Sequence, residues 1–241
     1  HIDGHEEEFT PKRVVDLQLG FGSDIMMPLD ICTAYPSPKE KVAADMVYTH
    51  RWEAEAYEYW ASQDTDSQLF AIVQGGLFED LRQESIDTLS QYDFPGFAIG
   101  GLSVGEGTDL LNEWSPKIAR LLPREKPRYL MGVGLPENME PALNAGVDMF
   151  DCVAPTRLAR HGQFFYGSEG REQIKNQKYK ADSAPLKEDC SCYSCQHWSR
   201  AYIRHLFMAK EMLGAIALSI HNLHTLVHIC KDFRQRIIDE N

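Results

Sequence analysis

Three cysteines and a histidine near the end of the chain have the spacing of a metal shell. Cys190-Ser-Cys192-Tyr-Ser-Cys195 followed by His221 reads C-x-C-x2-C-x25-H. Three thiolates and one imidazole complete a tetrahedral site for Zn2+, and four protein ligands leave no open position, so one structural rather than catalytic ion per chain is expected. The spacing places the cysteines on one turn and His221 at the start of the last helix, which it pins down. His221 is favoured because it begins an amphipathic stretch in SIHNL; His197 and His205 are weaker candidates for the fourth ligand. Disulfides are the competing reading, but an odd trio this tight cannot pair internally and no secretory context supports oxidation. Cys32, Cys152 and Cys230 read as buried small hydrophobes.

Two aspartates could do covalent or recognition chemistry. Asp30 closes the run DIMMPLDI and Asp151 sits in MFDCV, each followed within two residues by a cysteine. A carboxylate at the C-terminal end of a strand is reachable by solvent yet flanked by apolar residues. That setting suits a nucleophile or an acceptor that recognises donor groups on a ligand. Capping a helix N-terminus is the other use of aspartate at such a place.

Short apolar runs alternating with longer periodic segments must position these groups. Candidate strands are Asp24–Ile31, Leu69–Gln74, Gly96–Ile99, Tyr129–Val133 and Met149–Val153, with helix-like stretches over 38–62, 79–91, 108–122 and 136–146. Strict alternation predicts a parallel sheet with crossover helices, an α/β fold that is either a barrel or doubly wound. Asp30, Gln74, Gly100, Gly101, Gly132, Gly134 and Asp151 all fall at strand ends, and in a barrel those ends form the active face. Five βα units do not close a barrel, so either the sheet is open or about three units are missing at the N-terminus. After Val153 the pattern breaks into a Gly- and Lys-rich segment, 161–189, then the cysteine cluster, then helices over 198–213 and 219–239.

With 43% apolar and 25% charged residues, the 241-residue chain can bury a sizeable core, which argues against disordered and fibrous classes. No run approaches 18 consecutive apolar residues, so no membrane span is expected. The opening HIDGHEEEF is polar and lacks both Met and an apolar h-region, so a cytoplasmic location and a chain that starts mid-protein are expected. A net charge of −12 argues against a nucleic-acid partner, but its distribution argues otherwise. Residues 1–110 carry 6 Lys/Arg against 21 Asp/Glu, a balance of −15, and residues 111–241 carry 18 against 15, a balance of +3. Within 155–180, Arg157, Arg160, Arg171, Lys175, Lys178 and Lys180 face only Glu169 and Glu172. Screening over about 8 Å makes a polyanion respond to that local patch, although a solvated basic face is the plainer reading.

DICTAYP (30–36), IVQGG (72–76), GGLSVGE (100–106), RYLMGVG (128–134), MFDCVAPTR (149–157) and the C-x-C-x2-C…H cluster resemble, in order, the motifs of the bacterial tRNA-guanine transglycosylases. The resemblance covers most of the chain. It implies a (β/α)8 TIM barrel with an inserted zinc-binding subdomain, a cytoplasmic homodimer formed through the zinc region, and base exchange in queuosine biosynthesis. Guanine at wobble position 34 of GUN-anticodon tRNAs (Asp, Asn, His and Tyr) is replaced by the 7-deazaguanine preQ1 through a covalent Asp–ribose intermediate. Asp151 matches the nucleophile and Asp30 the carboxylate that accepts from the guanine N1–H and 2-amino group. Gln74 and the Gly101 amide match donors to the base carbonyl, the Leu102 carbonyl matches the contact to the aminomethyl group, and Met131 packs on the base plane. Cys32 and Val104 line the pocket in preQ1-using members. Relatives that take queuine carry smaller side chains at the position of Val104.

The RNA-contacting segments of the family match Gly132, Val133, Gly134, Leu135, Pro136, Glu137 and Asn138, then Thr156, Arg157, Leu158, Ala159 and Arg160. Leu135 departs from a common lysine, which removes or moves one phosphate contact. The family's further catalytic aspartate, in a D-S/T-G-G-F-Q-like motif, has no match in 1–241, consistent with the expectation of missing N-terminal units. The implied division is 1–160 for barrel units with the base pocket and nucleophile, 161–225 for the zinc subdomain and basic segment, and 226–241 for a C-terminal helix. Two other functions fit the resemblance: a queuine-inserting salvage transglycosylase, and a non-catalytic tRNA-binding partner subunit, which tends to lose the aspartates and glutamine present here. The archaeal relative that acts on the D-arm usually adds C-terminal RNA-binding domains.

Overall fold

The computed structural model describes residues 4, 6–166 and 170–240. Residues 1–3 and 5 of the first expected domain, Glu169 of the basic stretch and Asn241 of the last expected domain lie outside the described residues. Among those described, five parallel strands pair in sequence order: β1 (Ile25–Met26), β2 (Gln68–Val73), β3 (Gly96–Ile99), β4 (Arg128–Leu130) and β5 (Met149–Phe150). Helices α1 (Pro11–Phe21), α2 (Lys39–Ala61), α3 (Glu79–Leu89), α4 (Thr108–Leu121) and α5 (Pro136–Asn144) separate or precede them. The order never reverses, so the described sheet lacks the switch point of a doubly wound fold. The chain divides into two compact units, one running to Met131 and including Asn144–Phe150, the other comprising Gly132–Leu143 and the chain from Asp151 onward.

The first unit holds the sheet. Leu69–Val73 and Gly96–Ile99 are buried throughout, the pattern of parallel strands covered on both faces. The strand expected over Asp24–Ile31 is only two residues long, because Pro28 has no N–H to offer a ladder. Gln18 of α1 takes the neighbouring strand's place: its amide donates to the Met27 carbonyl at 2.8 Å and accepts from the Met27 N–H at 2.9 Å. Asp30 therefore lies in the loop after β1 and not at its end. The strands expected to run to Val133 and Val153 stop at Leu130 and Phe150, the first before Gly132, whose φ of 72° breaks an extended chain. Asp151 follows β5 directly.

The second unit contains α6 (Ala154–Arg160), an antiparallel hairpin of β6 (Gln163–Phe165) and β7 (Arg171–Gln173), α7 (Tyr193–His197), α8 (Arg200–Met208) and α9 (Met212–Asp239). Its core gathers Phe164, Ile174, Leu186, Ile203, Ala217 and Leu218. The last helix begins at Met212, not near 219, so His221 sits well inside α9 and not at its start. This helix is long and apolar enough to cross a membrane by length and composition, with a mean hydropathy of 1.3 over its most apolar window. Its buried residues include His221, Asn222 and Thr225, each hydrogen-bonded within the unit, as in a helix packed on protein.

Candidate functional site

In the first unit, the loops after β1, β2 and β3 bring most of the expected base-pocket residues together. Gln74, buried just past β2, donates from Nε2 to Asp30 Oδ2 at 2.6 Å. Burial pushes the Asp30 carboxyl above the usual range, and the bond from Gln74 only partly opposes this. Gly100 and Gly101 are required here. A Cβ at Gly101 (φ 65°) would meet Gln74 Oε1 at 2.5 Å, and one at Gly100 would meet Gln74 Nε2 at 2.6 Å. Cys32 is exposed rather than buried. Its thiol is pushed up by desolvation and by Asp30, and held down by a hydrogen bond from the Gly101 backbone. Glu106 accepts from the Ser103 N–H and, at 2.9 Å, from the Val104 N–H, shaping the turn that carries Leu102 and Val104. Val104, Glu106 and Gly101 line a cleft with Thr33, Tyr35 and Phe78. Met131 is half-buried at the end of β4, where its N–H reaches the Ile99 carbonyl.

In the second unit, Asp151 is exposed and its Oδ1 accepts from the Gly132 N–H at 2.6 Å. A Cβ on Gly134 would meet Cys152 Cβ at 2.4 Å, so the 132–134 turn lies directly against the aspartate's segment. Cys152 and Cys230 are half-buried rather than buried. Of the residues expected to contact RNA, Gly132, Glu137, Arg157 and Arg160 are exposed, and Leu135, Thr156 and Leu158 are half-buried. Val133, Gly134, Pro136, Asn138 and Ala159 are buried and build the segments from within.

Cys190, Cys192, Cys195 and His221 converge, with their ligand atoms all within 4.8 Å of one another. His221 Nδ1 lies 3.6, 3.6 and 3.3 Å from the three sulfurs. Bond lengths of about 2.3 Å to sulfur and 2.05 Å to nitrogen in a tetrahedron separate S and N by roughly 3.5 Å, so the set fits a metal ion. His221 Nε2 donates to the Phe165 carbonyl at 2.8 Å, which fixes the tautomer and turns the Nδ1 lone pair towards the sulfurs. The next residue, Asn222, accepts from the Phe165 N–H at 2.9 Å and donates to the carbonyls of Pro155 and Gln163 at 2.9 and 3.1 Å. His197 and His205 are not members of the cluster.

A family model described as queuine tRNA-ribosyltransferase matches residues 1–241. The chain belongs to this family. Proteins named queuine tRNA-ribosyltransferase from Dictyoglomus turgidum and Desulforapulum autotrophicum are each 47% identical to it, over 238 and 237 residues. One from Fusobacterium nucleatum is 48% identical over 240 residues. Each alignment covers 98% of this chain and 61%, 64% and 64% of the respective relatives, so the chain spans under two thirds of their length.

In this queuine tRNA-ribosyltransferase family member, three side chains that sequence reading passed over hold the end of β2. Glu53 Oε1 accepts from the Ile72 N–H at 2.8 Å, Arg82 binds the carbonyls of Val73 and Gly76 at 2.7 and 2.8 Å, and Ser85 Oγ accepts from the Gln74 N–H at 3.2 Å. Ser85 then has its own proton for His50 Nε2, 2.9 Å away, and burial keeps His50 below its ordinary value. From the same helix as Glu53, Thr49 accepts from the Ile31 N–H at 2.9 Å and Asp45 from the Thr33 hydroxyl at 2.8 Å. Asp45, Thr49 and Glu53 are buried at i, i+4 and i+8, one stripe of α2. That polar periodicity was the signal available in the sequence.

Glu53 is fully buried and its Oε2 has no partner among the described residues, and desolvation raises its carboxyl well above the ordinary value. The folded protein therefore keeps a proton that the unfolded chain releases. Stability is full below the ordinary carboxylate value of 4.5 and declines as pH rises towards the folded value, by about 1.4 kcal/mol per unit. Glu53→Gln keeps the acceptor for Ile72 and should remove this decline; Glu53→Ala should cost about 2–4 kcal/mol. Urea unfolding between pH 5 and 8 checks both, and an unchanged pH slope in the glutamine variant would show that Glu53 is ionised.

Proposed function

We propose that this chain carries the exchange site of a tRNA-guanine transglycosylase that replaces guanine 34 of GUN-anticodon tRNAs by preQ1. The observation that carries the reading is the Gln74–Asp30 bond of 2.6 Å beside Gly101. It fixes a carboxylate next to backbone and amide donors, which suits a flat base with two adjacent donors and a carbonyl. Asp151 attacks ribose C1′ as the C1′–N9 bond breaks, giving a glycosyl ester and free guanine. The incoming base forms the new C1′–N9 bond and returns the carboxylate, releasing its N9 proton where the departing guanine took one up, a double displacement of the retaining-glycosidase kind. Gln74 and the Gly101 amide donate to the base carbonyl, the Leu102 carbonyl receives the aminomethyl group, Met131 covers the base plane, and Cys32 and Val104 line the pocket. Val104 favours preQ1 over the larger queuine. The exposed Arg157 and Arg160 bind the anticodon-loop backbone. We assign the Cys3His cluster to a structural zinc, the sheet to part of a (β/α)8 barrel, and the protein to a cytoplasmic homodimer.

Guanine exchange into tRNA, competed by preQ1 and by queuine, tests this reading in the full protein; tighter competition by queuine would reverse the substrate assignment. Asp30 supplies a second test. Protonation turns one of its oxygens into a donor that faces the donors of the base, and burial places that event above the ordinary carboxylate range. Base KM should be lowest above the raised value and climb as pH falls through it. Asp30→Asn should raise base KM by about a hundredfold at neutral pH. A flat pH profile with an unaffected asparagine variant would remove Asp30 from base recognition.

A further inference from the structure

We propose that Arg82 is the positioning residue of the base-reading edge, its buried guanidinium setting the turn at 74–76 against the turn at 100–101. The proposal rests on the reading of Gln74, Gly101 and Asp30 as base contacts. Arg82 stands on the first turn of α3 and is wholly buried. Its Nη1 donates to the Val73 carbonyl at 2.7 Å, its Nε to the Gly76 carbonyl at 2.8 Å, and its Nη2 reaches the Gly101 carbonyl at 3.5 Å. Among the described residues no carboxylate forms an ion pair with it, and burial lowers its pKa to about 9.

A buried cation with carbonyls for hydrogen-bond partners and only the more distant charge of Glu106 to favour it is an expensive way to fill space. The planar fork of arginine does something an apolar chain cannot: it joins three carbonyls in fixed directions. Two belong to the turn that presents Gln74, and the third belongs to Gly101 itself. The surroundings leave little slack. A Cβ on Gly75 would meet the Arg82 backbone nitrogen at 2.7 Å, so the 74–76 turn rests on the first turn of α3. The Gly101 turn in turn rests on the Gln74 side chain. Displacing the guanidinium moves both donors that read the base carbonyl, while Asp151 and the RNA-contacting segments lie in the other compact unit.

The test is steady-state guanine exchange in the full protein with Arg82→Lys and Arg82→Met, measuring KM for base and for tRNA separately. Lysine keeps the charge without the fork; methionine keeps bulk without charge. Both variants should raise base KM roughly tenfold or more and leave tRNA KM within about twofold, as expected for a misplaced contact. KM does not depend on the folded fraction of a sample, so poor folding cannot imitate this result. Wild-type base KM in either variant, or base and tRNA KM rising together, overturns the proposal. Asp30→Asn run alongside separates the two claims: if it raises base KM and the Arg82 variants do not, only the positioning role falls. If it too leaves base KM unchanged, the reading of the edge falls, and the Arg82 proposal with it.

Discussion

Replacing Asp151 by asparagine is expected to abolish the covalent protein–RNA adduct and to lower guanine exchange by roughly 10^4-fold or more, the scale seen when an enzyme loses its nucleophile. The exposed carboxylate follows β5 directly and receives the Gly132 N–H at 2.6 Å. An asparagine Oδ1 can accept the same hydrogen bond, so the 132–134 turn should keep its place. What is lost, on the proposed reading, is the anionic oxygen that would form the ester with ribose C1′. Binding of tRNA should stay within a few-fold of wild type, because the exposed Arg157 and Arg160 are untouched. Denaturing electrophoresis of protein mixed with tRNA reads the adduct, and filter binding reads the complex. An adduct that survives in the asparagine variant sinks the assignment; an adduct lost together with tRNA binding points instead to a disrupted turn.

The parts of this site that were legible in the sequence are those whose chemistry demands a fixed spacing. Metal ligands must reach one point, so C-x-C-x2-C already implied the cluster that His221 completes. The ends of β2 and β3 were legible because their apolar runs stop at Gln74 and Gly100. Three features were hidden. The helix Pro11–Phe21 carries a Thr10 cap, proline at its first position and a left-handed Gly22 after it, but its weakly apolar face gives little helical period to read. Glu53 and Arg82 look like solvated charges on amphipathic helices, since only tertiary packing shows that β1 ends too soon to serve Ile72 and leaves that N–H to a side chain. The last helix starts at Met212 rather than near 219 and runs through Gly214. A Cβ there would meet the Phe207 nitrogen at 3.0 Å, so close approach to α8, rather than helix termination, accounts for the glycine.

Removing the metal is expected to melt the second unit's cysteine region while the parallel sheet persists. Structural zinc sites of this type contribute on the order of 10 kcal/mol to folding, and without the ion three thiols and an imidazole are left to share a partly buried space. The loss should spread along one path. His221 Nε2 holds the Phe165 carbonyl, and Asn222 beside it holds Phe165, Gln163 and Pro155. Freed from its sulfurs, His221 can turn, which loosens the neighbouring Asn222 side chain that ties the hairpin strand β6 to the helix carrying Arg157 and Arg160 through three hydrogen bonds. Amides of 156–165 and 192–197 should therefore lose hydrogen-exchange protection on chelation or in Cys192→Ser. Amides of Leu69–Val73 and Phe97–Ile99 should keep theirs, because their burial is complete within the first unit. Re-adding zinc to the chelated wild type should restore protection, and the serine variant should not respond. Simultaneous loss in both sets of amides would mean that the metal supports the whole chain, and unchanged protection in both would mean that the cysteines and His221 hold no ion that matters to the fold.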